Sequence, residues 1–130
     1  EQMDALKRGE DFISEETIIP NSVLTQAALP PRSYAYCSDT IYNEDVVPLI
    51  SHATLLYHEA TFMEDMRERA KQTMHSTAKD AANIALKAGA KKLIIGHFSA
   101  RYRDLHPLLA EAREVFAETY LAEEGRKESI

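Results

Sequence analysis

From Ala53 onward the chain alternates short apolar runs with stretches of helical spacing, and that alternation leaves few folds open. Ala53-Thr54-Leu55-Leu56-Tyr57 and Leu93-Ile94-Ile95-Gly96 are too short for helices and are bounded by turn residues, so both read as buried strands. Between them Ala78, Ala81, Ala82, Ile84, Ala85 and Ala88 fall on one helical face, with Lys79, Asp80, Asn83 and Lys87 elsewhere. Thr77 with Asp80 three residues on forms a weak capping box, and Gly89 is the expected stop. A last helix over 104–118 would place Leu105, Leu108, Leu109, Ala112, Val115 and Phe116 on one face. Strand, helix, strand, helix predicts an α/β unit with right-handed crossovers.

Upstream, the aromatic, alternating Ser33-Tyr34-Ala35-Tyr36-Cys37 predicts another strand, and 43–51 suits a short helix. The charged stretch 63–71 is read as a solvated helix or a loop over the site, with helix favoured. Residues 1–32 read as an irregular lead-in with a short strand near 17–19 and a turn at Pro30-Pro31. The expectation is one domain over 1–130, with its core in 33–130.

Polar residues gather where these strands end, and in open α/β sheets ligands collect beyond the carboxyl ends of strands. Leu93 to Gly96 delivers His97, Ser99 and Arg101 into one short turn, placing an imidazole beside an anion-holding guanidinium. Asp39 follows the Tyr34 strand, and His58 and Glu59 follow the Leu55 run. His75-Ser76-Thr77 precedes the helix, where backbone N–H groups and the dipole favour an anion such as phosphate. A positive charge on His75 needs a carboxylate to offset that dipole, and Glu59 is the candidate. Taken singly each has an ordinary reading: Asp39 a helix cap, His97 a loop hydrogen bond, His58 and His75 satisfied buried histidines, Glu59 a surface carboxylate.

Taken together, Ser38-Asp39-Thr40, His58-Glu59-Ala60-Thr61, His75-Ser76-Thr77 and Gly96-His97-Phe98-Ser99-Ala100-Arg101-Tyr102 resemble the ribonuclease Z (tRNase Z) branch of the metallo-β-lactamase superfamily, in order and approximate spacing. The match runs from Ser33 to Tyr102, and Leu121-Ala122-Glu123-Glu124-Gly125 resembles the family's end. Met3 to Gly9 resembles the segment after the family's protruding substrate arm. The resemblance implies half of a four-layer αββα sandwich, a mixed sheet with helices on one face. It implies Asp39 as a carboxylate bridging two zinc ions and His97 as a ligand of one of them. His75 would touch the scissile phosphate or protonate the leaving oxygen, with Glu59 as its acidic partner. Arg101 and Ser99 would contact substrate phosphate. The implied substrate is precursor tRNA, cut on the 3′ side of its discriminator nucleotide.

One departure concerns the metal. The family's His-x-His-x-Asp-His motif is missing, and His52 and His106 match nothing catalytic; both read as helix-surface or capping residues. A catalytic zinc usually takes three protein ligands and water, which Asp39 and His97 do not provide. The chain, opening at Glu1-Gln2, therefore reads as the carboxyl-terminal half of a longer enzyme, inactive and weakly zinc-binding alone.

Composition narrows the partners. Acids outnumber bases 21 to 15, which argues against a general nucleic-acid footprint and against DNA; tRNA contact would then rest on a basic surface outside this chain. No run of about 18 apolar residues predicts a membrane span and no signal peptide is visible, so a cytoplasmic location is expected. The lone Cys37 forbids an internal disulfide and reads as a small structural hydrophobe. An isolated half would expose an apolar sheet face, so a homodimer or oligomer is expected. Two other functions fit the residues: another metallo-β-lactamase-fold phosphodiesterase or sulfatase, and a structural or interaction half-domain that has lost its metal.

Overall fold

Four short strands, β3 (Tyr34–Cys37), β4 (Leu55–Glu59), β5 (Leu93–Gly96) and β6 (Thr119–Leu121), form one sheet in the order β3-β4-β5-β6 in a computed structural model describing residues 1–130. All three ladders are parallel, where a mixed sheet was expected. The reason lies in the connections: each strand reaches its next neighbour through a helical crossover, and none through a hairpin. Right-handed crossovers stepping repeatedly in one direction put every connection on the same face. The helices therefore share one side of the sheet, as expected.

That side is the core. Leu56, Leu93 and Ile95 are fully buried beneath α4 (Ala78–Ala88) and α5 (His106–Val115). The helix face is mostly Ala78, Ala81, Ala82 and Ala85, whose small side chains let α4 lie close against the strands. Burying each large apolar chain such as Leu56, Ile84 or Leu108 contributes about 1.5–3 kcal/mol. Thr77 and Asp80 close a capping box in both directions, and Gly89 ends the helix at φ 62°. A side chain at Gly89 would also press on the His52 ring, 3.1 Å from the position of a Cβ.

The opposite face is aromatic. Strand alternation turns Ala35 and Cys37 toward the helices and leaves Tyr34 and Tyr36 more than half exposed. Tyr36 stacks on Tyr57 with ring centroids 4.6 Å apart. Gly96, paired with Glu59, leaves room for the Tyr57 ring: a Cβ there would sit 2.4 Å from the phenol oxygen.

Residues 44–50 form a 3₁₀ helix capped by the Asn43 side chain, with Pro48 inside it, where a short helix was expected. The 63–71 stretch is helical as favoured, a 3₁₀ turn at Glu64–Met66 followed by α3 (Arg67–Gln72). The last helix is shorter than its apolar stripe suggested, because residues 119–121 turn into β6, a strand too brief to show alternation.

Contacts divide the chain into Glu1–Pro31 and Arg32–Ile130. The first unit is more regular than the expected lead-in: α1 (Gln2–Lys7), an antiparallel pair β1 (Phe12–Ile13) and β2 (Ile18–Ile19), and α2 (Asn21–Leu24). Asn21 ties it together, donating from Nδ2 to the Leu6 and Glu10 carbonyls and from its backbone N–H to Asp11, and accepting from the Thr25 hydroxyl at Oδ1.

His58 lies on the helix side of β4, buried, with Nδ1–H donating to the Glu59 backbone carbonyl at 2.8 Å. Burial depresses its pKa, overriding that bond and the nearby carboxylates. The unfolded chain therefore takes up this proton first. Its contribution to stability is intact above about pH 6.5 and is lost as pH falls toward the folded value, by at most about 1.4 kcal/mol per pH unit. Urea unfolding at several pH values should show a shallower acid decline in His58→Gln than in the unsubstituted chain; equal slopes would refute this.

Candidate active site

Glu59, at the end of β4, is the fixed point of the site. Its side chain is fully buried and accepts from three segments. Oε1 receives the Thr40 backbone N–H at 2.9 Å and His75 Nδ1–H at 2.8 Å. Oε2 receives the Thr61 hydroxyl at 2.7 Å and the Ser76 N–H at 3.0 Å. Burial alone would raise the pKa of Glu59, but the donors Thr61, Ser76 and His75 outweigh it and hold the carboxyl below the usual range. Glu59 is therefore an ionised hub at neutral pH. A carboxylate can satisfy four donors at once, and so fixes the Asp39, Thr61 and His75 loops against each other.

The His75 loop has a second anchor behind it. Ser76 Oγ donates to the Thr40 carbonyl at 2.7 Å, and the Thr77 hydroxyl donates to Glu64 at 3.0 Å. Arg67 joins Glu64 to Asp80, bonding both carboxylates, so the start of α4 is bolted to α3. Two of the charges in the 63–71 stretch, Glu64 and Arg67, are thereby paired with the helix cap.

Around this hub, one ligand atom from each of Asp39, His75 and His97 falls within 4.8 Å of the others. His97 Nε2 lies 3.2 Å from Asp39 Oδ1, and the His75 and His97 rings are 5.2 Å apart. Asp39 and His97 hold φ angles of 50° and 58°, and Met74, just before His75, holds 60°. Left-handed backbone at non-glycine residues costs on the order of 1 kcal/mol each, and its concentration here marks loops shaped for something other than stability.

The residues expected from the sequence thus separate into two groups. Asp39, Glu59, His75 and His97 come together. Arg101 and Ser99 stand outside the three-residue cluster: Arg101 Nε donates to Ser99 Oγ at 3.3 Å, and its guanidinium lies over the Phe62 ring at 5.1 Å. Of the remaining histidines, His106 N–H and ring bond Asp104 at the start of α5, and His52 packs near Gly89. Thr61, Thr40 and Ser76 were given no role from sequence, although all three lie in the quoted motifs.

No family model matches the chain. Among curated proteins it is 52% identical over 129 residues to ribonuclease Z of Parabacteroides distasonis, covering 98% of this chain and 42% of that protein. It is 56% identical over 117 residues to ribonuclease Z of Porphyromonas gingivalis, covering 89% of this chain and 38% of that one. Over its length the chain is homologous to ribonuclease Z. It spans about two-fifths of the length of these relatives. Among solved structures, the metallo-β-lactamase fold protein YhfI of Bacillus subtilis matches with TM-score 0.65 at 29% identity, over 70% of this chain and 37% of that protein. A long-form RNase Z from yeast matches with TM-score 0.51 at 38% identity, over 54% of this chain and 10% of that one. The similarity to ribonuclease Z runs through both units, and the α/β architecture matches that of the metallo-β-lactamase fold neighbour over 70% of the chain.

Proposed function

We propose that this chain carries part of the active site of a zinc-dependent endoribonuclease that removes the 3′ trailer from precursor tRNA. The observation that carries the reading is the convergence of Asp39, His75 and His97 over the buried Glu59. The Asp39 carboxylate and the His97 imidazole form an oxygen and nitrogen donor pair suited to zinc, with the His75 imidazole beside it. Asp39 and His97 are the proposed metal ligands. Bound zinc would supply an activated water and neutralise charge in a phosphodiester displacement. A two-ion site needs more donors than Asp39 and His97 offer, so the 130-residue chain alone is not expected to cleave.

His75 is the proposed acid. Its Nδ1–H is held by Glu59, which leaves Nε2 to carry a proton to the departing oxygen. The ionised Glu59 offsets the helix dipole that would otherwise oppose positive charge on the ring. Arg101 and Ser99 are the proposed phosphate contacts. The same reading makes the protein cytoplasmic and a homodimer or larger oligomer.

The test uses the intact protein with zinc, offered precursor tRNA and a cyclic nucleotide in parallel. Cleavage at the 3′ side of the discriminator nucleotide is expected, with His75→Gln slower by about 10²–10⁴-fold and its zinc content unchanged. Turnover of the cyclic nucleotide alone would replace this reading by another phosphodiesterase activity.

A further inference from the structure

We infer that Thr61 is a positioning residue that fixes the tautomer of His97, leaving Nε2 unprotonated and turned toward Asp39. The Thr61 hydroxyl lies 2.7 Å from Glu59 Oε2, 2.9 Å from the His97 carbonyl and 3.1 Å from His97 Nδ1. It has one hydrogen for three neighbours. Two of them, a carboxylate oxygen and a carbonyl oxygen, can only accept. Directing the hydrogen at Nδ1 would leave both oxygens facing a bare hydroxyl oxygen, one of them charged and buried, which is the most costly arrangement available. The hydrogen therefore goes to an oxygen, and the shorter, charge-assisted bond to Glu59 takes it. Whichever oxygen receives it, none remains for His97 Nδ1. That nitrogen must be the donor, so the order runs His97 Nδ1–H to Thr61 Oγ, then Thr61 O–H to Glu59.

Two consequences follow. Glu59 orients both histidines through Nδ1, His75 directly and His97 through Thr61. The unprotonated Nε2 of His97 then faces the Asp39 carboxylate at 3.2 Å, an arrangement of two acceptors that a shared cation would satisfy. The second consequence rests on the reading of Asp39 and His97 as metal ligands, whereas the tautomer does not.

The tautomer is read from ¹⁵N spectra of the His97 ring in the metal-free intact protein at about pH 9, where imidazoles are neutral. A protonated Nδ1 and a bare Nε2 are expected in the unsubstituted protein and in Thr61→Ser, and the reverse in Thr61→Val. Zinc affinity should fall about 10–100-fold in Thr61→Val and be restored in Thr61→Ser. An Nε2-protonated ring in the unsubstituted protein overturns the proposal even if Thr61→Val fails to fold, as does an unchanged tautomer in a folded Thr61→Val. Undiminished zinc binding by His97→Ala would remove the metal reading while the spectra still decide the role of Thr61.

Discussion

Glu59→Ala is expected to lower stability by about 3–5 kcal/mol in urea unfolding and, in the intact protein, to remove the proposed cleavage with it. The size follows from what the carboxylate holds. Its loss strands the Thr40 and Ser76 N–H groups and His75 Nδ1–H, and leaves the Thr61 hydroxyl only the His97 carbonyl to bond, in a place where Ser76 is fully buried and Thr61 nearly so. Each buried donor left without a partner costs about 1–3 kcal/mol, less where water enters the space vacated. Glu59→Gln separates shape from charge. Its amide oxygen can serve one pair of donors, but its NH₂ confronts the other pair, so it should fall between the parent and Glu59→Ala. A Glu59→Ala protein within about 1 kcal/mol of the parent would show that the hub does not hold the loops together.

The sequence exposed this site unevenly, for physical reasons. The elements from Ala53 onward were legible because burial writes a period: α4 has its alanine face, its Thr77–Asp80 cap and its Gly89 stop, all found where expected. Asp39, Glu59, His75 and His97 were legible as strand-end and helix-start residues carrying a family resemblance. The parallel sense of the whole sheet was not, since strand direction depends on which strand each crossover reaches. β6 was hidden because three residues carry no alternation. Thr61 was overlooked for a different reason. A threonine after a strand resembles any turn residue, and its role exists only once His97, 36 residues away, is folded against it. Likewise Arg67 looked like one charge among many in a solvated stretch, until Glu64 and Asp80 closed on it.

Asp39→Asn should separate function from stability in the opposite sense to Glu59→Ala. Asp39 is exposed, its side chain 72% accessible, and it holds no buried donor, so removing its charge leaves no group stranded. Asparagine also tolerates the left-handed backbone that position 39 adopts, whereas alanine would add strain of its own. Unfolding of the metal-free intact protein is thus expected to change by no more than about 0.5 kcal/mol. The proposed cleavage and zinc affinity of the intact protein should nevertheless fall on the order of a hundredfold or more, because even outer-shell partners of a metal are worth about 10–100-fold. An Asn carries no charge to balance a cation beside the bare nitrogen of His97, and its NH₂ can instead donate to that nitrogen and occupy it. Unaltered zinc affinity in Asp39→Asn would rule this carboxylate out as a ligand, and the left-handed turn at Asp39 would then need another reason to exist.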